Sequence, residues 1–159
     1  MNITVAQSSG FCFGVKNAVS AAEDAVGSIS DGRKLVMLGE IVHNRYVVDK
    51  LVEGGFTICE TAEEVPADSV VIIRAHGVTP AEIDTLKSKN CEIRDMTCPF
   101  VSKIHKIVRE NSSEGKNIII AGTKGHPEVT GILGEAEGKG VKCAVIKAPE
   151  DLETLDFPL

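Results

Sequence analysis

The chain has no tryptophan, one tyrosine and five phenylalanines in 159 residues, too few aromatics for a platform on which nucleic-acid bases stack. Positive charge is also in short supply. Seventeen Lys and Arg stand against 23 Asp and Glu, a formal net charge of −6, whereas neutralising a phosphate backbone takes clustered bases. No apolar run approaches the ~20 residues that cross a bilayer. The opening MNITVAQSSG has neither the basic start nor the apolar stretch of a signal peptide. Nucleic acid and membrane are therefore not expected partners, and a cytoplasmic location is expected. Five cysteines, an odd number with no export signal, argue for free thiols in a reducing compartment rather than a disulfide framework.

What is present is an ordinary globular balance, 43% hydrophobic and 25% charged. The acidity is local: residues 51–97 carry nine acids against four bases. Short β-branched runs predict strands at Ile3–Ala6, Leu35–Leu38, Val70–Arg74, Cys91–Met96 and Asn117–Ala121. Apolar residues at helical spacing predict helices over Val15–Val26 and Asn44–Glu53, and others opening at Pro80, Pro99 and His126-Pro127. Strands alternating with helices of this length indicate α/β units: small parallel sheets flanked by helices.

Ligands of such sheets sit beyond the carboxyl ends of the strands, so the residues just after each run matter most. They read SSGFCFG with Cys12, GEIVHN with His43, AHGVTP with His76, TCP with Cys98, and GTKGHPEVTG with His126 and Glu128. A Cys at a helix N-terminus is favoured as thiolate, the form that binds iron or zinc. Single cysteines from separate modules suit an Fe–S centre better than a zinc ribbon, because neither lies in a C-x-x-C pair. Cys59, Cys91 and Cys143 sit in or beside strand-like runs and read as small core residues. Three imidazoles beside helix N-termini suit a phosphate or diphosphate, with a His₃ zinc site as the competing chemistry. Glu128 beside His126 is a candidate proton donor. Lys16 and Arg74 can steer an anion, and Thr123 and Thr130 can add hydroxyl contacts. His105 lies off the stripe Val101, Ile104, Ile107 and Val108, and is expected to be solvated.

A strand, a cysteine and an amphipathic helix recur 86 residues apart, at Cys12 and Cys98. Taken in order, GFCFGVKNAV, GEIVHN, RAHGV, DMTCPFV and GHPEV closely resemble the 4-hydroxy-3-methylbut-2-enyl diphosphate reductases of the non-mevalonate isoprenoid pathway. The resemblance runs almost from end to end. It implies a trefoil of three similar α/β domains around a 4Fe–4S cluster, of which this chain would carry two. Residues 1–97 would form the first, with Cys12, His43 and His76. Residues 98–159 would form an incomplete second, with Cys98, His126 and Glu128.

By the same resemblance Cys12 and Cys98 match two of three cluster cysteines, and His43, His76 and His126 match residues that bind the substrate diphosphate or its proton network. Glu128 matches the acid that delivers a proton during reductive dehydroxylation of the allylic diphosphate to isopentenyl and dimethylallyl diphosphate. A small ferredoxin or flavodoxin is the implied electron donor. The third cysteine and the downstream Thr and Ser-x-Asn contacts are missing from the sequence, so the chain is expected to be inactive alone, as a fragment of a longer product or as one completed by a partner chain. The rival expectations are a diphosphate-binding remnant without a cluster, and a zinc hydrolase built on the three histidines.

Overall fold

The computed structural model describes residues 2–7, 9–29 and 32–158. Two parallel sheets organise them. The larger has strands β1 (Leu35–Leu38), β2 (Phe56–Cys59), β3 (Val70–Ile73) and β4 (Glu92–Asp95) in the order β2-β1-β3-β4. The smaller pairs β5 (Ile118–Ala121) with β6 (Cys143–Ile146) in parallel. Helices α1 (Phe13–Ser28), α2 (Arg45–Glu53), α3 (Pro80–Ser88), α4 (Pro99–Ser113) and α5 (Pro127–Gly134) separate them, and Pro149–Thr154 adds a 3-10 turn. Among the described residues no helix is long and apolar enough to cross a membrane.

The central strands β1 and β3 are buried along their whole length, as strands covered on both faces must be. Alternate residues feed opposite layers. Leu35, Met37, Val70 and Ile72 pack against Ala18, Ala22 and Ala25 of α1 and Val48 and Leu51 of α2. Val36, Leu38, Val71 and Ile73 pack against Leu86 of α3 and Ala62 and Val65 of the loop after β2. The alanine stripe of α1 lets that helix lie close on the sheet. Local signals set the helix starts. Asn44 Oδ1 accepts from Val47 N–H before α2, while Thr79 and Glu82 form a reciprocal capping box with Pro80 in the first turn of α3.

Three sequence expectations are corrected. Ile3–Ala6 is not a strand: Ile3 and Val5 are 77% and 74% exposed, and no ladder pairs this segment among the described residues. A β-branched run is only a fit to a pleated, half-buried surface, and it needs a neighbouring strand. Strands β2 and β6 lie outside the five predicted runs. Finally, α4 buries His105, Val108 and Ser112, while Ile104 and Ile107 are 41% and 48% exposed. The inward stripe is offset by one residue from the most apolar one.

Candidate functional site

After β1 the chain leaves outward to β2, then returns across β1 to β3. The crevice between the carboxyl ends of β1 and β3 is thus a topological switch point, where open parallel sheets place their ligands. His43 stands in the turn after β1, and His76 in the turn after β3. Their ring centroids are 5.2 Å apart. His126 caps α5 and brings its ring to 6.0 Å from His76, edge-on at 85°. Its Nδ1 accepts the backbone N–H of Glu128 at 3.3 Å, so in the neutral tautomer the proton sits on Nε2.

His76 is the middle ring, half-buried, and its Nδ1 has no partner. Burial lowers its pKa below the ordinary 6.5, and the neighbouring His43, Arg74 and His126 lower it further, opposed by Glu128. Arg74 also has a buried Nε without a partner. Its guanidinium lies in the space a Cβ on Gly39 would fill, and Gly39 has φ +69°, a backbone that favours glycine. Strand ends from both sheets therefore bring three imidazoles, a guanidinium and a carboxylate to one place. Unpartnered buried nitrogens in such a place are what an anion would satisfy.

Cys12 and Cys98 hold equivalent places as N-caps of α1 and α4, and neither side chain makes a capping hydrogen bond. The two helix starts touch: Cys98 Sγ lies 3.1 Å from where a Cβ on Gly14 would stand, and Phe13 packs edge-on against Phe100 at 5.8 Å. The Cys98 N–H donates to Ala75 O at 3.0 Å, so the backbone of Cys98 adjoins the residue before His76. The other cysteines do not join them. Cys59 is buried in the first sheet, where burial pushes its thiol up, and Cys91 Sγ turns to Pro66 O. Cys143 is exposed, which corrects its reading as a core residue: β6 is covered less than its apolar sequence implies.

Among the described residues no three His, Cys, Asp or Glu side chains are arranged to hold a metal ion. Cys12 and Cys98 supply two thiols, and a three-cysteine cluster needs one more. Lys16 is exposed on α1, Thr130 on α5, and Thr123 in the turn before α5. His105 corrects the expectation of a solvated side chain, being 7% exposed. The spacing Val101, His105, Val108, Ser112 was the available signal for it, since those positions share one helix face.

These features define a parallel α/β protein with an imidazole-lined crevice beside paired cysteine-capped helices. The model of the LytB protein family matches residues 3–158, and the chain belongs to that family. The 4-hydroxy-3-methylbut-2-enyl diphosphate reductase of Aeromonas hydrophila is 41% identical over 98% of this chain and 49% of its own length. The Plasmodium falciparum structure of the E-1-hydroxy-2-methyl-but-2-enyl-4-diphosphate reductase superposes with TM-score 0.85 at 32% identity, over 96% of this chain and 46% of that one. A second structure, of the (E)-4-hydroxy-3-methyl-but-2-enyl diphosphate reductase that ends the non-mevalonate pathway, gives 0.80 at 36%, over 96% and 53%. The chain spans about half the length of the curated relatives it matches.

Proposed function

We propose that this chain supplies the diphosphate-gripping part of a 4-hydroxy-3-methylbut-2-enyl diphosphate reductase. One observation carries the reading: His43, His76 and His126, from three separate junctions, form a line of rings 5.2 and 6.0 Å apart. Imidazole N–H groups and the Arg74 guanidinium take the phosphate oxygens. A diphosphate arriving beside His76 reverses the electrostatics that keep this ring neutral, so binding draws in a proton. Glu128, in the first turn of α5, feels the His76 ring and hands a proton to the leaving hydroxyl.

In the overall reaction an allylic C–O bond breaks and a C–H bond forms. Two electrons enter from a ferredoxin or flavodoxin in the cytoplasm. Two protons are consumed, one into the new C–H bond and one into the water that carries the oxygen away. Cys12 and Cys98 are proposed as two of the ligands of a 4Fe–4S cluster whose third thiolate is not among the described residues. The proposal also divides the chain into α/β domains at 1–97 and 98–159, two members of a three-domain trefoil.

Calorimetric titration of the 159-residue chain with inorganic diphosphate tests the grip. Binding is expected, weakened about tenfold or more by His43→Ala or His126→Ala, in line with loss of a charge-assisted contact. No binding by the unmodified chain would remove the reading. The second reading is an anion-binding remnant without a cluster, which needs no more than the unpartnered His76 Nδ1 and Arg74 Nε. Anaerobic reconstitution with iron and sulfide in a chain extended to the relatives' length separates the two. Cluster content falling in both Cys12→Ser and Cys98→Ser supports the reductase, and unchanged content in both leaves the remnant.

A further inference from the structure

His105 belongs to neither the imidazole line nor the paired cysteines, yet it is among the few buried polar side chains of the described residues. Its Nδ1 is 3.0 Å from Glu135 Oε1, with both side chains under a tenth exposed. Arg109 Nη1 reaches the other carboxylate oxygen at 3.3 Å, and Ser112 Oγ donates to the Glu135 carbonyl at 3.4 Å. The far edge of the ring meets glycines on two different segments. A Cβ on Gly77 would stand 3.2 Å from Nε2, and one on Gly131 would stand 3.2 Å from Cε1. Gly134, one turn beyond Gly131, is pressed against Thr79 in the same way, its Cβ position 2.7 Å from Cγ2.

The imidazole is thus a peg between the 77–80 segment and α5, which lies on that segment through a face of small residues. Its Nε2 faces this wall with no partner. An apolar ring of similar size would fill the gap without that unpaired nitrogen, so the feature that calls for histidine here is the Nδ1 bond to Glu135. What the peg separates is informative. Gly77 directly follows His76, and α5 is the helix that His126 caps and Glu128 opens. We propose that His105, anchored by Glu135, is a positioning residue that sets the separation between His76 and the His126–Glu128 turn. This rests on reading the three imidazoles as an anion site.

The test uses the 159-residue chain with three readouts: the ring-to-ring nuclear Overhauser effect between His76 and His126 without ligand, the Kd for inorganic diphosphate, and the urea midpoint. His105→Ala is expected to keep a cooperative transition, lose the ring-to-ring effect and weaken diphosphate binding about tenfold, since displacements below 1 Å suffice for such losses. His105→Asn, whose amide nitrogen can replace Nδ1 as donor to Glu135 but which lacks the ring edge against Gly77 and Gly131, is expected to recover the urea midpoint while ring contact and affinity stay as impaired as in His105→Ala. A merely structural residue would lower the midpoint and leave the ring contact and Kd alone, which would overturn the proposal. Should His105→Ala not fold, Gly131→Ala carries the test by pressing a methyl group onto the ring. An unchanged ring contact and Kd there overturns the proposal. If the unmodified chain binds no diphosphate, the anion reading fails, and the ligand-free ring contact alone decides the positioning role.

Discussion

Strands β3 and β5 are nearly equal in sequence character, Val-Val-Ile-Ile against Ile-Ile-Ile-Ala, and very unequal in their surroundings. The first lies between two strands and two helical layers, with all four residues buried. The second has one neighbour, buries Ile118, and leaves Ala121 exposed. Apolar character gives a strand the capacity to be covered, and topology decides whether it is. The first sheet closes two core layers over itself. The second keeps a small core of Val108, Ile118, Ile132 and Ala136 and leans on the first through Gly131, Gly134 and His105. The crevice draws on both, with His43 and His76 from the larger sheet and His126 and Glu128 from the helix of the smaller one.

The strongest way to break this contrast is to cut the same residue type in each sheet. Ile72 has no exposed surface and stands between two layers, so Ile72→Ala is expected to cost about 3 kcal/mol of unfolding free energy. Ile120 is only half-buried, and Ile120→Ala is expected to cost about 1 kcal/mol. Urea unfolding of both variants checks the pair, and equal costs would dissolve the distinction between the regions.

The next effect tests what holds them together. Glu135→Ala strands His105 Nδ1 in a buried place and removes the partner of Arg109, at a cost of about 2 kcal/mol. That loss belongs to the junction. Hydrogen exchange is expected to speed up in α5 and β5–β6 while β1 and β3 keep their protection. Uniform acceleration through both sheets would show one cooperative unit instead.

A smaller effect lies at Thr79, which caps α3 in the first region and packs on Gly134 of the second. Thr79→Ala removes half of the capping box and is expected to cost about 1 kcal/mol. Thr79→Ser restores the cap without the methyl group and separates capping from packing. If Ser restores all the stability, the contact with Gly134 contributes nothing.

The same contrast explains what the sequence made legible. All five helices follow from apolar spacing and from openings such as Pro80, Pro99 and His126-Pro127, which are local signals. Strands β1, β3, β4 and β5 follow from β-branched runs. Phe56–Cys59 and Cys143–Ile146 are edge strands with mixed exposure; their runs read as strand-like around Cys59 and Cys143 but lack the Gly, Pro or His framing that marked the others. Ile3–Ala6 shows the converse error, a good run with no partner strand among the described residues. The histidines were visible because each follows a strand end beside glycine. Their distances were not, because the outward step to β2 and the return to β3 are properties of chain topology. His105 was misread for a physical reason as well: its polarity is satisfied by Glu135, 30 residues away, a partner that helical periodicity does not show.

The finest test concerns His76, whose shift reports on the crevice between the regions. Burial, with the charges of His43, Arg74 and His126, lowers the His76 pKa below 6.5. Below about pH 6.5 the unfolded chain binds a proton that the folded chain still refuses, so stability falls as pH drops through the window beneath that value. Above it the ring is neutral in both states and contributes no slope. His76→Asn removes the group, and its unfolding free energy is expected to fall less steeply from pH 6.5 downward than that of the unmodified chain. Parallel slopes in the two proteins would mean that His76 titrates as if exposed and that the regions do not close over it. Inorganic diphosphate reverses the sign. Its charge restores the proton to His76, so affinity is expected to rise as pH falls from 7.5 to 6. Calorimetry in buffers of different ionisation enthalpy would register proton uptake, reduced in His76→Asn, and its persistence there would assign the uptake to another group of the crevice.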